Sequence, residues 1–260
     1  MTPRSSASVA NARTRTPRKI AVRAMSTKGT TADRVVSALV DHIRRHRLPA
    51  GASLPSELQT SSQLRVSRSV VREAYRSLSS AGLVDIANGR SPRVGHITNR
   101  SLIQLVQHAL STRQASAAQI LELRGPIEEY ATELAARHRS AQDVKDLRDA
   151  VAALRASVAG TSTKTDAYIK ADLRFHEIIG RATNNPMFSV VVSALRYSMG
   201  ESIRVSLAGR RSRAELQRVI RTHGRIVDAI EAGRTREARR LMAKHFEEAR
   251  ASVRRMTSDE

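Results

Sequence analysis

The stretch Arg65–Val84, RVSRSVVREAYRSLSSAGLV, decides how the first part of the chain is read. With successive residues about 100° apart on a helix, Arg65, Arg68, Arg72 and Arg76 share one sector, and Val70, Val71, Ala74 and Leu78 share another. Ser67 is a residue type that caps helix N-termini, so the pattern predicts a helix running from it to about Ser80. The apolar side has to be buried against neighbours. The basic side, with Ser67 and Ser69 at its start, is left to face a polyanion. Residues at a helix N-terminus reach base edges in a major groove, and Arg bonds guanine O6 and N7 as a fork.

The flanks agree with that reading. TADRVVSALVDHIRRHRL (31–48) sets Val35, Val36, Leu39, Val40 and Ile43 on one face, with Thr31 or Asp33 to start a helix and Pro49 and Gly51 to end it. LPSELQTSSQL (54–64) offers Ser56 as a second cap. GLVDIANGRSPRVGHI (82–97) alternates Val84 and Ile86, turns at Asn88-Gly89 and returns through Val94, which predicts a short hairpin with a basic tip. Three helices and a hairpin within 31–98 outline a winged helix-turn-helix.

Composition points the same way. The chain has 260 residues with 45 Lys+Arg against 24 Asp+Glu, a net charge of +21. Residues 1–98 carry 17 basic against 5 acidic residues, and 99–260 carry 28 against 19, so the first segment is the more basic per residue. Such a surface releases counterions on meeting nucleic acid. Cysteine is absent, which excludes disulfides, cysteine-ligated zinc fingers and cysteine nucleophiles. Aromatics are 3% and Trp is absent, so the core is built from Leu, Val, Ile and Ala, which favours helices. No apolar run has the length to span a bilayer. Residues 1–30, basic and rich in Ser and Thr, read as a disordered tail that adds nonspecific DNA affinity.

Residues 51–84 resemble the DNA-binding signature of the GntR family of bacterial transcription regulators. The resemblance rests on Gly51, Leu54-Pro55-Ser56-Glu57, Val66-Ser67-Arg68, Val71-Arg72-Glu73 and Gly82-Leu83. It implies that Arg68 and Arg72 contact operator DNA and that Gly89 on the wing lies near the minor groove. Two positions depart from the family's pattern. Leu58 stands where an arginine often makes a DNA contact, and Arg65 stands where glycine usually precedes Val-Ser-Arg. The turn has to accept a side chain at Arg65, and that side chain is a candidate replacement for the lost contact.

Residues 99–256 are helical in pattern almost throughout, with breaks near 111–116, Ser140, 160–165, 184–186, 209–212 and Gly233. The fold class expected is mainly α: an N-terminal winged helix-turn-helix at 31–98 and an all-α bundle of six or seven helices at 99–256. Of the eight histidines, His42, His46, His96, His108 and His138 read as surface or boundary residues. The others form a set. Asp172 and His176 are four apart in ADLRFHEIIG (171–180), hence on one helix face. His223 and His245 are equidistant from position 234, beside Gly233 and Thr235, which suit a helix end and the next helix start. In an antiparallel hairpin they sit level; spacing alone leaves open whether their faces converge, and so whether the set is a metal site or four packed side chains.

LELRGPIEEYATELAA (121–136), DLRFHEIIGRATNNPMF (172–188), HGRIVDAIEAG (223–233) and EARRLMAKHF (237–246) resemble the FCD-type ligand-binding domain of FadR-like GntR regulators. That resemblance implies a divalent metal on Asp172, His176, His223 and His245, with zinc first and nickel or manganese as alternatives. It further implies a small carboxylate effector held by Arg124, with Asn185 lining the pocket. Arg124 has a second reading as a helix-surface ion pair with Glu128, four residues on. The implied assembly is a cytoplasmic bacterial homodimer on double-stranded palindromic operator DNA, most simply a repressor, with no membrane and no catalysis. Two other classes compete: a metal-dependent hydrolase, against which no nucleophile or general-base motif accompanies the ligands, and a nonspecific nucleoid protein, which the charge alone would support.

Overall fold

The computed structural model of the chain describes Ile20, residues 29–87, 89–159, 165–197 and 212–257, the last six by their backbone. It divides into two compact units, Met1–Thr98 and Asn99–Glu260, each with its own apolar core.

The first unit contains α1 (Thr31–Arg45), α2 (Glu57–Leu64), α3 (Arg68–Ser80), β1 (Val84–Asp85) and β2 (Arg93–Val94). Thr30 caps α1, one residue before the earlier of the two expected starters, and forms a reciprocal box with the other, Asp33. Ser56 and Ser67 cap α2 and α3 as their residue types predict. Val35, Leu39, Leu54, Val71, Ala74, Tyr75 and Leu78 make the core. The wing is short: among the described residues, Val84 pairs with Val94 and Asp85 with Arg93 across it. Ile86, expected in the strand, is exposed.

Two expectations change. The segment 1–30 is not wholly detached, because Ile20 is buried in this core and its N–H donates to Gln63 Oε1 at 2.8 Å. The rest of that segment up to residue 28 lies outside the described residues. His42, expected at the surface, is buried, because Val35, Ala38, Leu39 and His42 continue a single inward stripe of α1.

The second unit contains, among the described residues, α4 (Arg100–Ser111), α5 (Ala117–His138), α6 (Ala141–Ser157), α7 (Thr165–Ala182), α8 (Pro186–Tyr197), α9 (Arg213–Glu231) and α10 (Thr235–Thr257). Reciprocal capping boxes at Ser116–Gln119, Ser140–Asp143 and Ser212–Glu215 start α5, α6 and α9. Gly233, at φ +67°, makes the left-handed turn that ends α9 and sends α10 back along it. The core includes Ala131, Ala135, Leu147, Leu154, Phe175, Ile178, Ile179, Ile226, Val227, Ile230, Met242 and Phe246. α5, α7, α9 and α10 surround the histidines.

Candidate nucleic-acid interface and candidate metal centre

In the first unit α3 is fixed from behind. The Tyr75 hydroxyl donates to the Pro55 carbonyl and lies 3.3 Å from the Thr60 hydroxyl. Burial pushes the Tyr75 hydroxyl up to about 12, so it remains a donor at any physiological pH. The α2–α3 turn is closed by Ser61, whose Oγ donates to the Val66 carbonyl at 2.6 Å. Arg65 occupies that turn at φ 54°, ψ 46°, the left-handed conformation that glycine adopts without cost. The substitution is thus accommodated as strain, with the Arg65 side chain exposed.

The other face of α3 is open. Arg65, Ser67, Arg68, Ser69, Arg72 and Arg76 are all exposed, while Val71, Ala74, Tyr75 and Leu78 are buried. Ser67 and Ser69 hydroxyls are 2.9 Å apart, and Ser67 Oγ also accepts from Val70 N–H. Arg72 Nε donates to Glu57 Oε2 at 3.3 Å. On the wing, Gly89 is exposed at φ +72°, and Arg93 Nη1 donates to the Gly51 carbonyl at 2.8 Å. Asn88 lies outside the described residues.

In the second unit the topology brings the histidines together. His176 on α7, His223 on α9 and His245 on α10 offer ring nitrogens within 4.8 Å of one another, all three residues buried. The His223 and His245 ring centroids are 4.7 Å apart, so the faces of the α9–α10 hairpin do converge. Asp172 reaches the edge of the cluster, with Oδ1 3.3 Å from His223 Nε2 and 4.0 Å from His176 Nε2.

The protonation pattern suits a cation. His223 Nδ1 lies 2.8 Å from the Val219 carbonyl, which only accepts, so Nδ1 carries the proton and Nε2 presents a lone pair. His176 Nδ1 meets Glu128 Oε2 in the same way. Burial of Glu128 opposes its charge, but Arg124 and His176 outweigh that and hold its carboxyl well below the usual range. Burial, followed by His176, pulls His223 down to about 3. Burial, followed by His223, holds His245 well below its ordinary value. His176 Nε2, His223 Nε2 and His245 Nδ1 are buried with no hydrogen-bond partner. Buried polar atoms without partners are costly, and a divalent ion would satisfy atoms of this kind. The donor set of imidazoles and one carboxylate therefore fits the metal that the fold implies.

Arg124 is 1% exposed and does pair with Glu128, Nη2 to Oε1 at 2.7 Å, while its guanidinium carbon lies 5.1 Å from the Phe246 ring centroid. The pair is not on the surface; it forms the layer behind His176. Asn185 is exposed and its side-chain oxygen accepts from Met187 N–H at the start of α8, so its side chain is engaged in capping and is not buried with the cluster. Sequence reasoning missed Arg196. It lies on α8, is 6% exposed, and its guanidinium contacts Asp172 Oδ2.

Residues 31–94 match the model described as bacterial regulatory proteins, gntR family, and 119–248 match the FCD domain model. The chain is a GntR-family transcriptional regulator with an FCD domain. It is 28% identical over 210 residues to the HTH-type transcriptional regulator LutR of Bacillus subtilis (strain 168), covering 78% of this chain and 92% of LutR. It is 28% identical to the probable D-xylose utilization operon transcriptional repressor of Paenarthrobacter nicotinovorans, covering 84% and 87% of the two chains. The solved Streptococcus agalactiae GntR shares the fold, with TM-score 0.62 and 21% identity, covering 85% of this chain and 99% of that one. The GntR head of such a regulator binds DNA, and the FCD domain is its small-molecule unit. No helix among the described residues is long and apolar enough to cross a membrane.

Proposed function

We propose that this regulator binds a palindromic double-stranded operator as a homodimer in the bacterial cytoplasm and represses transcription until a small carboxylate binds at a metal ion in its FCD domain. Arg68 and Arg72 would read base edges from α3, with Ser67, Ser69 and Arg65 at its N-terminal end and Gly89 of the wing near the minor groove. Two relatives named as repressors, the D-xylose protein and the NanR of Salmonella schwarzengrund at 27% identity, favour repression over activation.

The observation that carries the metal reading is the convergence of ring nitrogens from three buried histidines, each of which has a buried nitrogen without a hydrogen-bond partner. Asp172, His176, His223 and His245 would hold the ion. When bound, it supplies a Lewis-acidic centre for a carboxylate ligand. The surrounding charges set the ligand's sign. Glu128 and Asp172 are balanced by Arg124 and Arg196, so a divalent ion leaves the buried site positive. A small anion lowers that excess positive charge, which favours a carboxylate over a neutral metabolite. Coupling to DNA requires that the ligand bind one dimer geometry better than another.

Elemental analysis of the purified protein tests the site. The wild type is expected to carry about one zinc, nickel or manganese per chain, and the His223→Ala plus His245→Ala double variant to carry none. Equal content in the two removes the site.

A further inference from the structure

We infer that Arg196 is a reserve anion-binding group of the metal site, held by Asp172 until the ion arrives, so that the ion binds before the carboxylate ligand. This rests on the metal reading above and adds to it a residue and an order of binding.

The carboxylate of Asp172 is used from both sides. Its Oδ1 faces the histidines, 3.3 Å from His223 Nε2 and 4.0 Å from His176 Nε2, and its Oδ2 meets the Arg196 guanidinium. Both side chains are buried, so neither charge is relieved by water. Without an ion, Arg196 is the cation that makes a buried Asp172 tolerable. An ion at the ring nitrogens takes Oδ1, draws charge from the carboxylate and repels the guanidinium. The hold on Oδ2 weakens just as an anionic ligand arrives to use a planar, two-donor cation.

Arg124 is placed differently. Its Nε and Nη2 both address Glu128, which is fixed in turn by His176 Nδ1. Ion binding at His176 Nε2 strengthens the His176–Glu128 contact and leaves Arg124 where it is. Of Arg124 and Arg196, the second is therefore the one whose partner the ion competes for.

The inference gives opposite signs for two affinities. Removing Arg196 leaves Asp172 uncompensated in the ion-free protein and removes a repelling charge, so metal binding tightens. The same change removes a ligand contact, so carboxylate binding weakens. A packing defect would weaken both.

Cobalt(II) serves as the probe, because its visible absorption reports both occupancy and a change of ligand. Wild-type protein and Arg196→Met are titrated with Co2+, and the loaded forms with acetate. Arg196→Met is expected to bind Co2+ about tenfold more tightly and acetate about tenfold more weakly, the scale of one charge-assisted contact. Co2+ affinity that falls or holds steady, or acetate affinity that does not change, overturns the inference. Arg196→Lys keeps the charge without the fork: Co2+ affinity within about twofold of wild type and acetate weakened are expected, and unchanged acetate affinity there overturns the inference even if the Met variant does not fold. Wild-type protein that binds no Co2+ at all brings down the metal reading itself, which is a different result from a variant that matches wild type.

Discussion

Arg68 and Arg72 on α3 stand in solvent, whereas Arg124 and Arg196 in the helical unit are 1% and 6% exposed. The exposed pair sits on a helix whose opposite side is fixed by Val71, Ala74, Tyr75 and Leu78, so its charge is available to a partner and contributes little to folding. The buried pair is matched to Glu128 and Asp172, and each member of those pairs makes the other tolerable in a water-poor interior. The same residue type thus stands in an exposed row in one unit and in a buried charge network in the other. Substitution separates the two cases, because binding and stability respond oppositely.

The largest expected effect is on the buried side. Arg124→Ala leaves Glu128 without its guanidinium, and removing one partner of a buried pair costs about 3–5 kcal/mol. Urea unfolding of the second unit checks this; a loss below about 1 kcal/mol would place the pair in the class of exposed ion pairs. Double replacement by apolar residues of similar volume, Arg124→Met with Glu128→Leu, should recover most of the loss.

An intermediate effect is expected at the α2–α3 turn. Arg65 pays the left-handed penalty that glycine avoids, so Arg65→Gly should raise the stability of the first unit by about 0.5–1 kcal/mol, the αL penalty less the extra entropy of glycine in the unfolded chain. Operator affinity should fall in the same variant, since the side chain is exposed beside the recognition helix. Tighter DNA binding would show that Arg65 serves the turn alone.

The smallest expected effect concerns pH. Burial, then His46 and Arg45, lowers the His42 pKa from 6.5 in the folded unit. Below that value the unfolded chain takes up the proton more readily, so His42 removes stability as pH falls through the acid side of 6.5 and has no effect above it. His42→Leu should flatten the dependence of the thermal midpoint between about pH 7 and pH 5. An identical slope in both proteins would assign the acid sensitivity to other groups.

What was legible in the sequence follows from locality. Ser56 and Ser67 declare their helices because a cap acts within three residues, and the α3 stripe shows which side is inward. The level placement of His223 and His245 followed from a turn at Gly233 that glycine alone makes easily. His42 had a signal that went unused: it continues the inward phase of Val35 and Leu39. Arg196 had none, because its partner Asp172 lies on another helix and no spacing links them. Ile20 likewise sits in a short apolar run, Ile20-Ala21-Val22, within a basic stretch, too short for a period to announce that it is buried. Asn185 is tied to the pocket only by the family resemblance, whereas its side chain caps the start of α8, a local role that Asn before Pro186 and Met187 makes legible.

The central claim is that the outward face of α3 reads DNA without supporting the fold. Fluorescence anisotropy on a duplex selected by the wild type from random sequences, run beside an unrelated duplex and a thermal melt, tests it through Arg72→Ala. The expected result is a loss of about 1–3 kcal/mol on the selected duplex, a much smaller change on the unrelated one, and an unchanged melting midpoint. Undiminished affinity for the selected duplex, or a collapse of the midpoint, would contradict it.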